Sequence, residues 1–418
     1  MFKSKKGLIR AEIVTVGNEV VSGLIQDTNA RYLSGQLHSL GIDVPRMTSV
    51  GDDESAIVDA IEQALERAEI VVTTGGLGST HDDITKAVLA RMFQSKMVTD
   101  QKAVAMLEAL FKKFQREVPP GVRRQCEVPA KAEVLYNEQG TAPGLLFRRD
   151  GRKVYCLPGV PLEMEHLFEK YICPELTSLQ SGAIGHRVIK TVGLTEAALW
   201  QRIGPVEPLE RLVTVASLPS YLGVNIRLSF CGETAEDVES RLTRAEALVA
   251  QAVGDCIYGR DDETLEGKVG ELLREKGWTL AVAESCTGGL IGHRLTQVSG
   301  SSDYFLESAV TYSNEAKKRR LGVDSALIEK YGAVSREVAQ AMAAGVRQDS
   351  GADIGLGVTG VAGPGASKEK PAGLVFIAVD DTGGSRYKQF RFHQDRTQNK
   401  ERSAQAALDL LRRWLLGL

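Results

Sequence analysis

Over residues 11–170 short apolar runs alternate with stretches whose apolar positions return every three or four residues. That alternation predicts strands at 11–16, 42–49 and 70–74, with helices at 27–40, closed by Gly41, and at 54–68. A strand at 153–157 leads into Pro158-Gly159-Val160-Pro161, a rigid turn, and then a helix through Glu169. Strands separated by helical patterns imply βαβ units on a parallel sheet. Such sheets bind ligands at the carboxyl ends of their strands, where the loops of this chain are richest in Gly and acidic residues.

The pattern changes between 173 and 259. Strands are expected at 186–192 and 224–230, and helices at 196–203 and 235–253. Gly182-Ala183-Ile184-Gly185 has the GxxG form that clamps nucleic-acid backbones in KH domains, but its basic flank is only His186 and Arg187, and it reads as a turn. From 260 onward a helix (266–276), the strand before Ser285, a strand at 308–313, a long helix at 337–345 and a strand at 354–359 follow. A loop at 360–373, strands at 374–379 and 387–392 and a closing helix complete the chain. The expected architecture is α/β in three domains: a βαβ parallel-sheet domain at 1–172, a small α+β connecting domain at 173–259 and an α/β domain at 260–418.

At 418 residues the chain exceeds one ordinary core, and its 43% apolar and 25% charged content is that of a globular protein. A formal charge of −3 argues against wholesale nucleic-acid binding. The first ten residues are basic, but no apolar run reaches the ~18 residues of a membrane span, so a cytoplasmic location without membrane partners is expected. The six cysteines are scattered singly, which supports neither a zinc site nor a disulfide framework.

The densest chemistry is LAVAESCTGGL at 280–290. An apolar run delivers Ser285 to a tight strand-to-helix turn, where N–H groups at Thr287, Gly288 and Gly289 are placed to hold a developing oxyanion. A bare Ser is a poor nucleophile and needs a base; Lys317, in TYSNEAKK, is the candidate, provided burial or nearby cations lower its pKa. Lys318, Arg319 and Arg320 follow it directly. The competing readings are a helix-capping Ser285, a solvated basic face at 317–320 and Cys286 as nucleophile. In the first domain TTGGLGSTHDDIT joins a Gly-rich loop to Asp82 and Asp83, and carboxylates beside phosphate call for a bridging divalent cation. Glu19, Asp27 and Asp52, from neighbouring strand ends, are placed to complete such a site; the alternative is a Thr80/Asp83 capping box.

AESCTGGL, SGSSDYF, TYSNEAKKRRLGV, GAVS, VTGVAGP and KEKPAGLV, in that order, resemble the nicotinamide mononucleotide deamidase domain of the CinA family. GNEVVSG, DTN, VGDD, TTGGLGSTHDDIT, GTAPG and PGVP resemble that family's molybdopterin-binding-like domain, and the middle segment resembles its KH-like connector by position and length. The resemblance implies hydrolysis of the carboxamide of nicotinamide mononucleotide to nicotinic acid mononucleotide and ammonia, without a cofactor. The family's Ser–Lys pair falls on Ser285 and Lys317, and its supporting positions on Ser302, Tyr312, Thr359 and Arg396. Arg396 offers a fork to the phosphate, with backbone N–H groups around Gly360, Ala362 and Gly363, against a competing ion pair with Asp395. Ser302 is a proton-relay candidate, Tyr312 either a core aromatic or a hydrogen-bond donor, and Thr359 a residue acting through side chain or backbone.

In the first domain the resemblance implies an ADP-ribose pyrophosphatase that uses Mg²⁺ or Co²⁺, with K⁺ as a second ion. Its nucleotide site falls on Gly17, Glu19, Asn29, Thr74, Gly75, Gly76, Gly78, Thr80, Pro158 and Gly159, and its metal ligands on Asp27, Asp52, Asp82 and Asp83. Asn18 and Ser79 depart from the family pattern, which has Asp or Thr and Pro there. The family also implies a homodimer. The rival functions are molybdopterin binding and a non-enzymatic competence or DNA-processing role, the latter disfavoured by the acidic balance.

Overall fold

The computed structural model describes residues 9–80, 82–178, 182–364, 370–393 and 395–418. Most of the basic start of the chain therefore lies outside the described residues, as do His81, Lys368 and Glu369 of the motifs above. The chain divides into two compact units, Met1–Gly185 with Cys231–Val238, and His186–Phe230 with Glu239–Leu418. Within the described residues no helix is long and apolar enough to cross a membrane.

The strands are β1 Arg10–Val16, β2 Asp43–Val50, β3 Ile70–Thr74, β4 Met97–Thr99, β5 Glu127–Pro129, β6 Glu133–Leu135, β7 Gly144–Arg149 and β8 Arg152–Leu157 in the first unit. Its main sheet has the order β2-β1-β3-β8-β7-β6. The first four strands run parallel and β7 and β6 are antiparallel, so the expected parallel sheet carries an antiparallel edge. Successive side chains of a strand point to opposite faces, and both faces here are apolar. Ile13, Val72 and Tyr155 pack under helices Thr28–Ser39 and Pro161–Leu167. Val14, Val71 and Val154 pack under helices Glu54–Arg67 and Thr85–Met92. The helix expected through Glu169 does not end there; it continues as a π-helical turn, Phe168–Ile172, and then as helix Cys173–Ser178.

The middle segment forms a sheet of order β10-β11-β9-β12, with β9 Ala183–Thr191, β10 Thr214–Ser220, β11 Gly223–Gly232 and β12 Ile257–Arg260. The GxxG read as a turn is instead the entry to β9: only Gly182 bends, at φ +132°, and Ala183 is already extended. Helices Glu196–Ile203 and Ala235–Val253 fall on their predicted ranges.

The last part holds β13 Leu280–Glu284, β14 Phe305–Val310, β15 Ile354–Gly360, β16 Leu374–Asp381 and β17 Gly384–Arg391, in the order β14-β13-β15-β16-β17. β13 lies parallel to both β14 and β15, and β16 and β17 extend the sheet antiparallel. Leu280 and Val282 face helices Leu265–Lys276, Leu290–Thr296 and Arg396–Leu415, whereas Ala281 and Ala283 face Arg336–Ser350. The strand expected at 308–313 stops at Val310 because Ser313 caps helix Asn314–Leu321, accepting from Ala316 N–H.

Candidate functional sites

In the last domain Ser285, Thr311 with Tyr312, and Thr359 with Gly360 stand at the carboxyl ends of β13, β14 and β15. Ser285 N–H donates to Val358 O at 3.0 Å, which ties the nucleophile candidate to the neighbouring strand. Ser285 Oγ lies 3.0 Å from Lys317 Nζ. Lys317 is 1% exposed although its helix carries a strongly polar sequence, NEAKKRRL. Its amine also donates to Thr311 O at 2.8 Å and Tyr312 O at 3.4 Å. Burial holds the Lys317 pKa below the ordinary lysine value, and the nearby Cys286 opposes that shift only in part. The expected help from neighbouring cations is not present. Lys318 pairs with Glu315, and Arg320 with Glu307 and Asp349, so their charge is met at the surface.

The turn after Ser285 is built on a buried acid that sequence reasoning missed. Glu284 is 0% exposed and accepts from Gly289 N–H (2.9 Å), Ile291 N–H (3.2 Å), Gly292 N–H (2.9 Å) and Ser308 Oγ–H (2.8 Å). It thereby satisfies the orphan donors that open helix Leu290–Thr296. Ser285 is not the cap; Gly289 occupies that position at φ +93°, a conformation that favours glycine. Gly288 N–H donates to Ser285 O at 3.2 Å. The Gly288 and Gly289 donors expected to meet an oxyanion are thus used within the turn itself. Cys286 faces the apolar core, and burial pushes its thiol up to about 12, which removes it as a nucleophile.

Arg396, in the first turn of the C-terminal helix, donates to Gly363 O at 2.5 Å and to Tyr312 Oη at 3.0 Å. Asp395 does not pair with it; its carboxylate caps the N–H groups of Thr397 and Gln398. Tyr312 is 62% exposed and is no core aromatic. Thr359 uses its hydroxyl inward, on Ala333 O at 2.7 Å. Asn399 donates to Ala362 O at 2.9 Å, and a Cβ on Gly288 would lie 3.7 Å from Lys400 Nζ. Asn399 and Lys400 were not legible in the sequence, because nothing marks them off from the other polar positions of that helix. Ser302 is not brought to the site. It precedes β14 at the end of the sheet where Leu280 N–H meets Tyr304 O, about 15 Å of strand from Ser285.

In the first unit the carboxyl ends of β2, β1, β3 and β8 surround a cavity of about 500 Å³. Gly17, Glu19, Asn29, Thr74, Gly75, Gly76, Gly78, Thr80, Pro158 and Gly159 all line it, as do Asp27, Asp52, Asp82 and Asp83. Gly75, at φ +106°, lies so close to Val16 O that a Cβ would approach it to 2.0 Å. Asn29 Nδ2 donates to Thr74 Oγ1 (3.0 Å) and Gly159 O (2.8 Å), and Thr74 Oγ1 donates to Pro158 O (2.8 Å). That chain joins the ends of β3 and β8 to the start of helix Thr28–Ser39 and leaves Asn29 Oδ1 buried without a donor; Gln125 Oε1, which also lines the cavity, is likewise unpartnered.

The carboxylates do not form the expected metal cluster: among the described residues no three His, Cys, Asp or Glu side chains converge. Asp27 caps helix Thr28–Ser39. Asp52 Oδ2 accepts from Asn18 N–H at 2.9 Å while Asn18 Oδ1 accepts from Asp52 N–H at 3.2 Å, so Asn18 is a clasp and not a ligand. Asp83 accepts from both the N–H and the hydroxyl of Thr80. This is a turn ahead of helix Thr85–Met92, and no capping box forms, since Ile84 stands at the cap. The acids fit a hard cation of the kind held by one or two carboxylates and by a ligand's own phosphate oxygens, not a closed protein cage.

Three family models match the chain: a probable molybdopterin binding domain over residues 12–178, the damage-inducible protein CinA KH domain over 186–259 and the CinA C-terminal domain over 262–415. A CinA-like protein of Salinibacter ruber is 42% identical, covering 97% of this chain and 100% of that protein. A CinA-like protein of Dictyoglomus thermophilum is 39% identical over 98% and 100%. The crystal structure of a protein CinA with unknown function from Thermoplasma acidophilum is 35% identical, covers 40% of this chain and 98% of that one, and superposes with a TM-score of 0.37.

The Glu284 arrangement carries its own test. Glu284→Gln replaces one acceptor oxygen by an amide that opposes a backbone N–H, so unfolding of the last domain in urea is expected to become easier by about 2 kcal/mol. Unchanged stability would show that the carboxylate does not hold the turn.

Proposed function

This chain belongs to the CinA family, and we propose that its last domain hydrolyses the carboxamide of nicotinamide mononucleotide through Ser285 and Lys317. The observation that carries this reading is the buried amine, with no carboxylate beside it, 3.0 Å from a serine hydroxyl. An uncharged amine has two hydrogens and one lone pair. With the hydrogens on Thr311 O and Tyr312 O, the lone pair is left for the Ser285 proton. Ser285 Oγ attacks the carboxamide carbon while its proton passes to Lys317 Nζ. The ammonium so formed lies beside the tetrahedral oxyanion. Collapse breaks the C–N bond, and the leaving nitrogen takes the proton from Lys317 to depart as ammonia. Water, deprotonated by the same amine, then attacks the acyl ester, releasing nicotinic acid mononucleotide and returning the proton to Ser285. Arg396 and Lys400 supply the positive charge that a phosphate monoester needs.

For the first domain we propose nucleotide binding, with ADP-ribose as the ligand. Asn29 Oδ1 and Gln125 Oε1 are buried acceptors that suit ribose hydroxyls or an exocyclic amine. Six acids line the cavity (Glu19, Asp27, Asp52, Asp82, Asp83 and Glu163) and no described Lys, Arg or His does. A pyrophosphate would therefore enter with a divalent cation, Mg²⁺ or Co²⁺, held at Asp27 or Asp52, which would neutralise its charge.

Three outcomes follow from these readings. Ser285→Ala should lower ammonia release from nicotinamide mononucleotide by about 10³-fold with the circular dichroism spectrum unchanged, and the double variant with Lys317→Ala should be little worse. Near-normal turnover in the single variant excludes the nucleophile.

Lys317→Met should abolish turnover yet raise the melting temperature near neutral pH. The folded-state pKa of Lys317 lies below its unfolded value, so the unfolded chain holds more protons, and the stability cost of this lysine shrinks as pH rises toward the ordinary lysine value. The gain from Lys317→Met should shrink with it; a gain independent of pH contradicts the assignment. Calorimetric titration of ADP-ribose should show at least about tenfold weaker binding in EDTA than with Mg²⁺. Equal affinity in both, or tighter binding of molybdopterin, rejects the nucleotide reading.

A further inference from the structure

The C-terminal helix, Arg396–Leu415, carries Arg396, Asn399 and Lys400 at its start, and its 20 residues span about 30 Å. Its far end is locked to the middle segment. Arg412, 2% exposed, donates to Asp255 O at 2.7 Å and Ile257 O at 3.3 Å, and Arg413 pairs with the Asp255 carboxylate. Asp409 ties both arginines together at 2.7 and 3.0 Å. The near end also meets the same segment. Tyr221, at the tip of the β10–β11 hairpin, donates its hydroxyl to Glu401, the neighbour of Lys400, and faces Asp395 at the helix cap. The hairpin tip is braced for this contact, since Ser220 Oγ bonds Gly223 O at 3.0 Å and accepts from Leu222 N–H at 3.2 Å.

We propose that Tyr221 is a positioning residue through which the middle segment aligns the start of this helix, and with it Arg396 and Lys400, for a phosphate-bearing substrate. The inference rests on the deamidase reading for its kinetic consequence, but not for its mechanical one. Asn399 on Ala362 O anchors the first turn to its own domain, but without the Tyr221 contact the outer side of that turn loses its brace, which lets Arg396 shift against Gly363 O and Tyr312 Oη. The Ser285–Lys317 pair is held separately, by β13 and by helix Asn314–Leu321. Loss of the Tyr221 contact therefore weakens substrate capture without touching the bond-breaking step.

The experiment compares the full chain with Tyr221→Phe, Tyr221→Ala, Glu401→Ala and the Tyr221→Phe/Glu401→Ala double variant, by steady-state kinetics on nicotinamide mononucleotide and by amide hydrogen exchange. KM should rise about three- to tenfold in each single variant with kcat within about twofold, and the double variant should be no worse. Glu401→Gln, which keeps an acceptor, should restore much of the affinity. Exchange should quicken over residues 396–402 and stay unchanged over 405–415. An unchanged KM, a fall in kcat alone, additive losses, or unaltered exchange at 396–402 each overturns the proposal. If the wild-type chain releases no ammonia from the mononucleotide, the deamidase reading falls, and the exchange comparison alone decides whether Tyr221 holds the helix start.

Discussion

Burying the Lys317 amine without a carboxylate is the constraint on which the last domain depends. An isolated ammonium in that position would cost several kcal/mol, and the fold offers it only two carbonyls and a hydroxyl. The uncharged form is what such surroundings favour, and an uncharged amine is what a serine needs in order to act as a nucleophile. Lys86 in the first unit shows that a lowered lysine pKa is not enough. It too is buried and shifted down by desolvation, but its amine sits among three carbonyls, those of Arg124, Gln125 and Glu127. Three donors meet three acceptors there, the group has no reactive partner, and its role is to hold a loop. The difference between the two lysines is one atom, Ser285 Oγ.

Placing that atom is the work of the parallel strands. Each candidate site collects loops from the carboxyl ends of adjacent strands, β13 with its two neighbours in one case and β2, β1, β3 and β8 in the other. Within the last domain the turn after β13 is secured from beneath by Glu284, which occupies the donors that open the next helix. Ser285 is thereby relieved of a capping duty and left to face Lys317.

Much of this was legible in the sequence, for reasons that can be named. Apolar runs bounded by Gly located β3 and β13 almost to the residue, because strands buried on both faces have no polar alternation to blur their ends. Ser285 and Lys317 were paired by family resemblance and by chemical need. The losses came where the decisive fact is a partner distant in the chain. Nothing local says that Glu284 turns under its own loop, that Asn18 clasps Asp52, or that Asp83 folds back on Thr80. Ser302 was misplaced because proximity in a motif order says nothing about which end of a strand a residue occupies. Strands β6 and β10 escaped because they lie at sheet edges, where polar residues are tolerated.

The near-neutral charge of the chain conceals two sites lined in opposite ways. At the last-domain site Arg396 and Lys400 bring positive charge to the turn after Ser285, which on the deamidase reading meets a mononucleotide's phosphate. At the first-unit cavity the wall is acidic, and a phosphate must bring its counter-charge with it. Net charge, at −3, therefore says little about the ligand that either site would take. On the readings proposed above, one class of molecule, a nucleotide, would be sorted between the two sites by whether a metal ion travels with it.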